Sequence, residues 1–318
     1  MRSIALINQK GGVGKTTTTV NVAAGLAGSN LRVLLVDLDP QSHATMHVGV
    51  EPQEDAPGIY EVLVDGAAAA DAIHETNGGL SIIPARVDLV GADVELASRP
   101  NRELLLRGAL QPLRDRFDLV MIDCPPALGT LTINALAAVD EVMIPLQPHF
   151  LALQGLGRLL ETVSLVRGVL NPTLRISGVV MCMFEKGTRL AQEVENDVRA
   201  FIENASPDDA WYGAHVFSTV IRRNIKLAEC PSFGQTIFEY APGSHGAQDY
   251  HALANEVLGM SLPVAEERAH EASLAIVQQA SAEAASVLPS GRAVACDLSP
   301  PASPAELDTT VAPQAAKR

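Results

Sequence analysis

A glycine-rich stretch near the start of the chain has the residue types and spacing that hold phosphate groups. It reads QKGGVGKTT, and its loop residues are Gly11, Gly12, Val13 and Gly14. Minimal side chains let successive backbone N–H groups curl around a phosphate chain, and the helix predicted to start at Lys15 adds its dipole. Lys15 is placed to reach β- and γ-phosphates, Thr16 to give its hydroxyl to Mg²⁺, and Thr17 to contact an α-phosphate. These residue types predict a nucleotide site, whereas Thr18 and Thr19 are expected to serve helix packing or to lie at the surface.

The same stretch departs from the usual phosphate-loop pattern, G-x-x-x-x-G-K-S/T. Counting back from Gly14, the position of the first glycine holds Gln9, and a second lysine, Lys10, follows it. Lys15 already serves the phosphates in this pattern, so the stem of Lys10 has little geometric reason to fold back onto them. Lys10 is therefore a candidate for a contact outside its own loop, and an ordinary surface lysine is the alternative.

Two further segments place acids directly after apolar runs. In VLLVDLDPQ, Asp37 and Asp39 lie two residues apart, so at the end of a strand both side chains point the same way. In LVMIDCPP a single acid, Asp123, closes the run. A carboxylate is costly at the end of a buried strand unless it serves a cation or hydrogen-bond donors, so Asp123 is predicted to bond to Mg²⁺ through water. The motif places no base beside Cys124, which is predicted to be a small buried thiol.

Apolar runs of strand length alternate along the chain with segments of helix length. The predicted strands are Ser3–Asn8, Arg32–Asp37, Leu80–Pro84, Leu119–Asp123, Val142–Leu146 and Ile176–Met181. The predicted helices are Lys15–Ala27, Arg102–Arg116, Leu153–Leu170 and Leu190–Glu203. This alternation predicts an α/β fold with a single doubly wound, mostly parallel sheet flanked by helices, and together with the glycine-rich motif it indicates the P-loop NTPase type. Ligands of such a sheet bind beyond the carboxyl ends of its strands, where all three motifs converge.

The composition excludes several classes of protein. Hydrophobic residues make up 47% of the chain and aromatic residues only 4%, which suits buried parallel strands covered by helices. The four cysteines form no C-x-x-C pair, so neither a disulfide framework nor a zinc site is predicted. No signal core or membrane-length apolar run is present, so we expect a cytoplasmic protein. A net charge of −14 argues against a generally basic protein but leaves room for a local basic patch.

The composition changes after Gly259. Residues 261–318 contain 15 alanines, 6 prolines and no aromatic residue, so they bury too little apolar surface to offset the entropy of ordering. We therefore predict a P-loop domain at 1–260 and an Ala/Pro-rich, mobile tail at 261–318. A docked extra helix around Glu266–Val287 is the alternative.

The motifs together resemble one family. KGGVGKTT resembles the deviant Walker A box of the ParA/MinD superfamily, in which the early lysine crosses a dimer interface to the partner's nucleotide. The segments RVLLVDLDPQSHAT, FDLVMIDCPPALGTLTINAL, RLAQEV, LAECPSFGQTIFEYAPGSHGAQDY and EVLG are similar to ParA (Soj-like) chromosome and plasmid partition ATPases, over roughly Met1–Gly259. The resemblance implies an ATPase that uses ATP and Mg²⁺ and forms a homodimer in the ATP state, with Lys10 as the signature lysine.

The resemblance also implies roles for single residues. Asp39 positions the attacking water or supports the metal shell, and Asp37 supports that shell without contacting the metal itself. A helix cap or structural role is the alternative for Asp37. The implied catalytic residues are Lys10, Lys15 and Asp39, the implied metal residues are Thr16, Asp39 and Asp123, and the implied ATP contacts are Lys10, Gly11, Gly12, Val13, Gly14, Lys15, Thr16 and Thr17. Phosphoryl transfer needs little covalent help, so positioning and charge neutralisation carry most of the acceleration.

Basic residues collect in the second half of the chain. Arg222, Arg223 and Lys226 occur within five residues, and Arg189 opens the helix RLAQEV. The resemblance implies that such groups from both subunits form one surface for DNA phosphates, without sequence preference. The alternative is that these cations are paired with local acids such as Glu185, Glu193 and Glu229.

Three departures from the family pattern concern the nucleobase and the partner surface more than the phosphates. The usual IPRN reads IRRN, so Arg222 replaces a proline that lies near the adenine in relatives. The usual SRGA reads SHGA, which exchanges an arginine for His245. Residues Asn204–Ala214 form a longer acidic insertion.

The predicted function is an ATP-driven positioning switch in the cytoplasm, associated with the nucleoid. ATP closes a dimer on non-specific DNA, a ParB-like or other adaptor stimulates hydrolysis, and the cargo is a plasmid, a chromosomal origin or a protein assembly. The alternative is a MinD-like membrane switch, but Arg268 and Arg292 are too widely separated for a basic amphipathic anchor, so membrane contact is not expected. A metabolic reductase or synthetase would need iron–sulfur cysteines or a substrate domain, and an autorepressor would need a helix-turn-helix before the loop.

Overall fold

The computed structural model describes residues 1–53 and 56–260. The predicted tail at 261–318, and with it the alternative helix, lies outside the described residues. Within the described part the strands are β1 Arg2–Leu6, β2 Val33–Asp37, β3 His74–Glu75, β4 Ser81–Ile83, β5 Leu119–Asp123, β6 Glu141–Leu146, β7 Arg175–Phe184, β8 His215–Val216 and β9 Ile221–Arg222.

Helices alternate with these strands. They are α1 Lys15–Ala27, α2 His43–His47, α3 Ala92–Leu96, α4 Leu105–Leu110, α5 Thr130–Ala138, α6 Ala152–Val169, α7 Arg189–Glu203, α8 Ile225–Glu229, α9 Ile237–Tyr240 and α10 His245–Gly259. A π-helical turn covers Glu61–Asp65, and 3-10 turns cover Val87–Gly91, Arg102–Leu104, Gln111–Leu113 and Cys230–Phe233. No helix in the described ranges combines the length and the apolarity that crossing a bilayer requires.

The strands of the described residues form one sheet in the order β3-β4-β2-β5-β1-β6-β7-β8, and β9 pairs with β7. All neighbouring strands run parallel except β3, which is antiparallel to β4. The predicted fold class is confirmed. Because the strands are parallel, the carboxyl ends of β1, β2 and β5 lie side by side, and in register Asp123 is the partner of both Leu6 and Asp37. We call this edge, with the loops that follow the three strands, the nucleotide edge.

Apolar layers cover both faces of the sheet, which explains why its strands read as continuous hydrophobic runs. Leu34 and Val36 of β2 belong to one apolar cluster, and Val33 and Leu35 belong to the other. Helices α1 and α10 cover one face, where a Cβ atom on Gly25 would come within 2.9 Å of the Cβ of Ala254. The absence of a side chain at Gly25 therefore lets α10 pack directly against the helix that follows the glycine-rich loop.

The predicted elements agree with the structure in most places. All six predicted strands correspond to β1, β2, β4, β5, β6 and β7, and the predicted helix Lys15–Ala27 has the same bounds as α1. The single helix predicted over Arg102–Arg116 is wrong, because α4 ends at Leu110 and a 3-10 turn containing Pro112 follows. Proline has no backbone N–H to donate and clashes with the preceding turn, so it interrupts the helical hydrogen bonds.

Candidate active site

The glycine-rich loop connects β1 to α1 at the nucleotide edge. Gly12 and Gly14 have φ angles of 73° and 94°, in the left-handed region that favours glycine. Gly14 is the N-cap residue of α1, and its carbonyl accepts a hydrogen bond of 2.9 Å from the Thr18 amide. Gly11 and Gly12 are exposed, and an added Cβ at either would meet open space. The loop is therefore an open cradle at a helix N-terminus, which is the geometry that binds phosphate.

The first turns of α1 are attached to β5 through one carboxylate. Asp123, fully buried, accepts a hydrogen bond of 2.7 Å from the Thr16 hydroxyl and one of 2.9 Å from the Thr19 hydroxyl, on different oxygens. Lys15, next to Thr16, is only 7% exposed. Thr19 was predicted only to pack in the helix or to lie at the surface, although residues three apart on a helix share a face and Thr19 follows Thr16 by three.

The surroundings of Asp123 suit a carboxylate that binds a cation. Burial, and after it the negative charge of Asp37, raises the pKa of Asp123 to about 7, against the opposing effect of the Thr16 and Thr19 hydroxyls and of the Lys15 charge. A hydroxyl and a carboxylate oxygen are hard ligands of the kind that Mg²⁺ prefers. No cluster of three or more His, Cys, Asp or Glu that could hold a metal occurs in residues 1–53 and 56–260. Mg²⁺ needs none, since it is held by one or two protein groups together with waters and phosphate oxygens, so these residues fit Mg²⁺.

The two acids that follow β2 have different surroundings. Asp37 is fully buried, and its carboxylate accepts hydrogen bonds from the amide and the hydroxyl of Thr45, at 2.9 and 2.7 Å, and from the amide of Asp39. Burial raises the pKa of Asp37 to about 6. Asp39 is 7% exposed, and its carboxylate accepts a hydrogen bond of 3.0 Å from the amide of Gln41. Asp37 therefore organises the loop that leads into α2, and that loop carries Asp39. These contacts agree with the structural role that was the alternative for Asp37.

Lys10 lies at the surface at the start of the loop. Its amide donates to the side-chain oxygen of Asn8 at 2.9 Å, and the Asn8 side-chain nitrogen donates to the carbonyl of Pro145 at 2.7 Å. Asn8 thus ties this part of the loop to β6, a role that sequence reasoning missed. The charge of Lys10 contributes, after burial, to lowering the pKa of His149 in the loop between β6 and α6. Among the residues that the structure describes, the Lys10 ammonium has no ion-pair partner, so it is available to an outside group.

A cavity of about 450 Å³ adjoins the loop on the side of β7. Gly14 and Thr17 line its floor, and its walls come from the end of β7, from β9 and the start of α8, and from α10. The wall residues are Cys182, Met183, Ile221, Arg222, Arg223, Asn224, Ile225, Leu227, Ala228 and Tyr250. Of these residues, only Arg222 was connected with a nucleobase from the sequence. The cavity has the size and the mixed apolar lining of a small-molecule site.

Comparison with known proteins identifies the family. A family model described as an AAA domain matches residues 1–176. The chromosome-partitioning ATPase Soj of Thermus thermophilus is 48% identical over 258 residues, which are 81% of this chain and 96% of that protein. The chromosome partitioning protein ParA of Myxococcus xanthus is 43% identical over 263 residues, covering 82% of this chain and 89% of that protein. The chain belongs to the ParA/Soj family of P-loop ATPases.

A solved structure agrees with this membership. Cobyrinic acid a,c-diamide synthase from Mycobacterium smegmatis, crystallised with a bound ATP analogue and magnesium, superposes on this ParA/Soj-family chain with a TM-score of 0.68 and 36% identity, covering 81% of this chain and 94% of that one. The predicted family is confirmed, and the ATP analogue and magnesium of this neighbour agree with the predicted cofactors, ATP and Mg²⁺.

The four basic residues that the sequence predicts as DNA contacts of this ParA/Soj-family chain are each paired with an acid. The pairs are Arg189–Glu193 at 2.9 Å, Arg222–Asp249 at 2.6 Å, Arg223–Glu185 at 3.1 Å and Lys226–Glu229 at 2.8 Å. Three of these acids are the ones that the alternative to DNA contact named. The side chains of Arg189, Arg223 and Lys226 are 92%, 67% and 47% exposed, and such surface pairs contribute only about 0–1 kcal/mol, so a phosphate can displace the acid. We call these three the exposed basic residues; Arg222 is more enclosed.

Proposed function

We propose that the chain is an ATP-driven switch, which closes into a homodimer around ATP, binds DNA without sequence preference and moves or positions a cargo such as a chromosome or a plasmid. The observation that carries the proposal is the nucleotide edge itself. There the buried carboxylate of Asp123 is held by two hydroxyls of α1, directly beside Lys15 and the open glycine loop. The proposed cargo is supported by the similarity to chromosome partitioning proteins at 43–48% identity.

The residues of the chain divide the work on ATP. Backbone N–H groups of Gly11–Gly14 hold the phosphates, Lys15 neutralises the β- and γ-phosphates, and Thr17 contacts the α-phosphate. Thr16 and Asp123 hold Mg²⁺, which when bound neutralises the charge that develops on the phosphates during transfer. The base enters the cavity beside Gly14 and Thr17.

Asp39 takes part in hydrolysis by positioning the attacking water or supporting the metal shell. Its carboxylate is buried next to Asp37, in a loop held by Thr45, so it is presented by a fixed segment rather than a free one. A fixed carboxylate suits phosphoryl transfer, because the reaction gains more from positioning than from covalent chemistry. Asp37 keeps this loop in place and touches no reacting group.

Lys10 reaches the nucleotide of the second subunit. It is exposed, and its ammonium has no acidic partner within the described part of the chain. A lone cation at the rim of a phosphate site favours an approaching triphosphate, so the contact makes closure of the dimer depend on ATP. An adaptor protein of the ParB type then stimulates hydrolysis, and the dimer opens. The proposal places the protein in the cytoplasm, on the nucleoid.

The proposal is tested by following mass and DNA retention together. The full chain is sedimented with ATP, ADP or no nucleotide, with and without an unrelated DNA duplex, and with anionic vesicles in place of DNA. We expect a dimer only with ATP and co-sedimentation with DNA only in that state. A monomer under all conditions would contradict the switch, and retention on vesicles but not on DNA would support the membrane alternative instead.

A further inference from the structure

Arg222 differs from the other basic residues in where its side chain lies. It is 31% exposed, it lines the cavity next to Gly14 and Thr17, and its partner Asp249 is 10% exposed. Arg223, one residue later, also lines the cavity, but its side chain is 67% exposed and pairs with Glu185. The two arginines therefore differ in how far their side chains are enclosed.

Asp249 fixes the orientation of the Arg222 guanidinium. Nε of Arg222 lies 3.0 Å from both carboxylate oxygens of Asp249, and a terminal nitrogen lies 2.6 Å from one of them. The same carboxylate also accepts a hydrogen bond of 3.0 Å from the Arg222 backbone amide. Asp249 belongs to α10, and α10 packs on α1, the helix that starts at the glycine loop. The position of the guanidinium is therefore fixed relative to that loop. A guanidinium held in this way is a preorganised flat surface.

The chemistry of the other walls selects a flat, weakly polar group. Met183, Ile225 and Leu227 contribute apolar surface, and Gly14 and Thr17 connect the cavity to the phosphate loop. Asp249 engages one edge of the Arg222 guanidinium, through Nε and a terminal nitrogen, and holds the plane of the group. Guanidinium faces stack on aromatic rings, so the face of the held group is a surface for a ring in the cavity.

We propose that the Arg222–Asp249 pair is a wall on which the base of the bound nucleotide stacks, and that it favours purine over pyrimidine nucleotides. This deepens and rests on the proposed ATP site. Stacking gains with ring area and is insensitive to the donor and acceptor pattern of the base, so this wall separates two-ring from one-ring bases and contributes equally to ATP and GTP. Arg222 is therefore removed from the residues proposed to contact DNA.

The experiment measures dissociation constants of the full chain for ATP, GTP, CTP and tripolyphosphate, the last as a probe of the phosphate site alone. The variants are Arg222→Lys, which keeps the charge but not the flat face, and Arg222→Ala/Asp249→Ala, which leaves no buried acid unpaired. Arg199→Ala, which removes a partly exposed arginine of α7 that pairs with Glu195 and does not line the cavity, is the control. Thermal unfolding without nucleotide checks that each variant folds.

We expect both Arg222 variants to weaken ATP and GTP about five- to tenfold, CTP about twofold and tripolyphosphate not at all, because a stacking contact of this kind is worth roughly 1 kcal/mol. Arg199→Ala leaves all four constants unchanged. ATP affinity equal to that of the parent in both Arg222 variants would overturn the stacking wall and leave the ATP site intact. An equal loss for tripolyphosphate and ATP would also overturn it, since Arg222 would then act on the phosphates or the fold. A parent chain that binds no ATP would instead contradict the proposed function.

Discussion

The nucleotide edge and the exposed basic residues both carry charge, but they hold it in different ways. At the nucleotide edge Lys15 is 7% exposed, and the buried carboxylates of Asp37 and Asp123 each accept at least two hydrogen bonds from neighbouring elements. Among the exposed basic residues, the side chain of Arg189 is 92% exposed and has one acidic partner on its own helix. The charges of the first region are held in fixed positions by several hydrogen bonds, whereas the charges of the second are held by single exposed ion pairs.

The energetic scale of the two regions differs accordingly. Removing one member of a buried, hydrogen-bonded charge network costs about 3–5 kcal/mol, because it leaves the remaining charge uncompensated. Breaking an exposed pair costs about 0–1 kcal/mol. Substitutions at the nucleotide edge are therefore expected to abolish steps of the cycle, and substitutions of the exposed basic residues to change affinities gradually.

The largest effect is expected from Lys15→Ala, which removes the cation that neutralises the bound phosphates. ATP affinity should fall by about 100-fold or more, the equivalent of about 3 kcal/mol. Titration with a fluorescent ATP analogue measures the loss, and Lys186→Ala, which removes an exposed lysine after β7, is the control. An unchanged affinity would refute the assignment of Lys15 to the phosphates.

The next effect separates Lys10 from Asp39. Lys10→Ala should leave ATP affinity within about threefold of the parent, because the proposed contact of its exposed ammonium is with the second subunit, but it should abolish the ATP-dependent dimer. Asp39→Ala should form the dimer and hydrolyse ATP slowly, since positioning of the water fails after assembly. Sedimentation with ATP and single-turnover hydrolysis distinguish the two variants. A Lys10→Ala chain that dimerises and turns over normally would contradict the contact in trans.

The exposed basic residues should give an intermediate and salt-dependent effect. With about four phosphate contacts in the dimer, the logarithm of DNA affinity should fall with the logarithm of salt concentration at a slope of about −3 to −4. Arg223→Glu and Lys226→Glu should each weaken binding and make the slope less steep, with little regard to DNA sequence. Arg114→Glu, an exposed arginine before β5, is the control for net charge. Equal binding by parent and reversed variants would eliminate this surface.

The buried acids predict a dependence of stability on pH in the nucleotide-free protein. Burial raises the pKa of Asp37 to about 6 and of Asp123 to about 7, so the folded chain holds protons that the unfolded chain releases near pH 4. Their contribution to stability is full below about pH 4 and is lost as pH rises through 6 and 7. Urea unfolding between pH 5 and pH 8 should show a steeper decline for the parent than for Asp123→Asn. Parallel curves for the two proteins would show that the pair does not titrate in this range.

The smallest effect is expected from the acids that pair with the exposed basic residues. Glu185→Gln and Glu229→Gln release Arg223 and Lys226 from pairs worth about 0–1 kcal/mol, so each should raise DNA affinity about two- to threefold at low salt. Glu203→Gln, an exposed acid at the end of α7, corrects for the change of net charge. An increase no larger than that of Glu203→Gln would mean that the pairing does not limit DNA binding.

Much of the site was predictable because its signals are local. The loop residues, the helix at Lys15 and the strand ending at Asp123 are contiguous patterns, and parallel strands bring their carboxyl ends to one edge. Thr19 was underestimated because its partner Asp123 lies 104 residues away. The helix predicted over Arg102–Arg116 was wrong for the opposite reason. The prediction followed the apolar pattern of the segment and gave too little weight to a local signal, Pro112, which ends the α-helix.

The sequence by itself determined which residues form the phosphate loop, which acids close the buried strands and which family the chain resembles, because each depends on residues a few positions apart. Only the tertiary structure decided what the isolated charges meet. It placed Arg222 against Asp249 in the wall of the cavity, left Lys10 unpaired within the described residues, and gave each exposed basic residue an acidic neighbour. The pairing of Arg222 and Asp249 joins positions 27 residues apart on different elements, and packing of α10 against α1 decides such a contact, which no short pattern encodes.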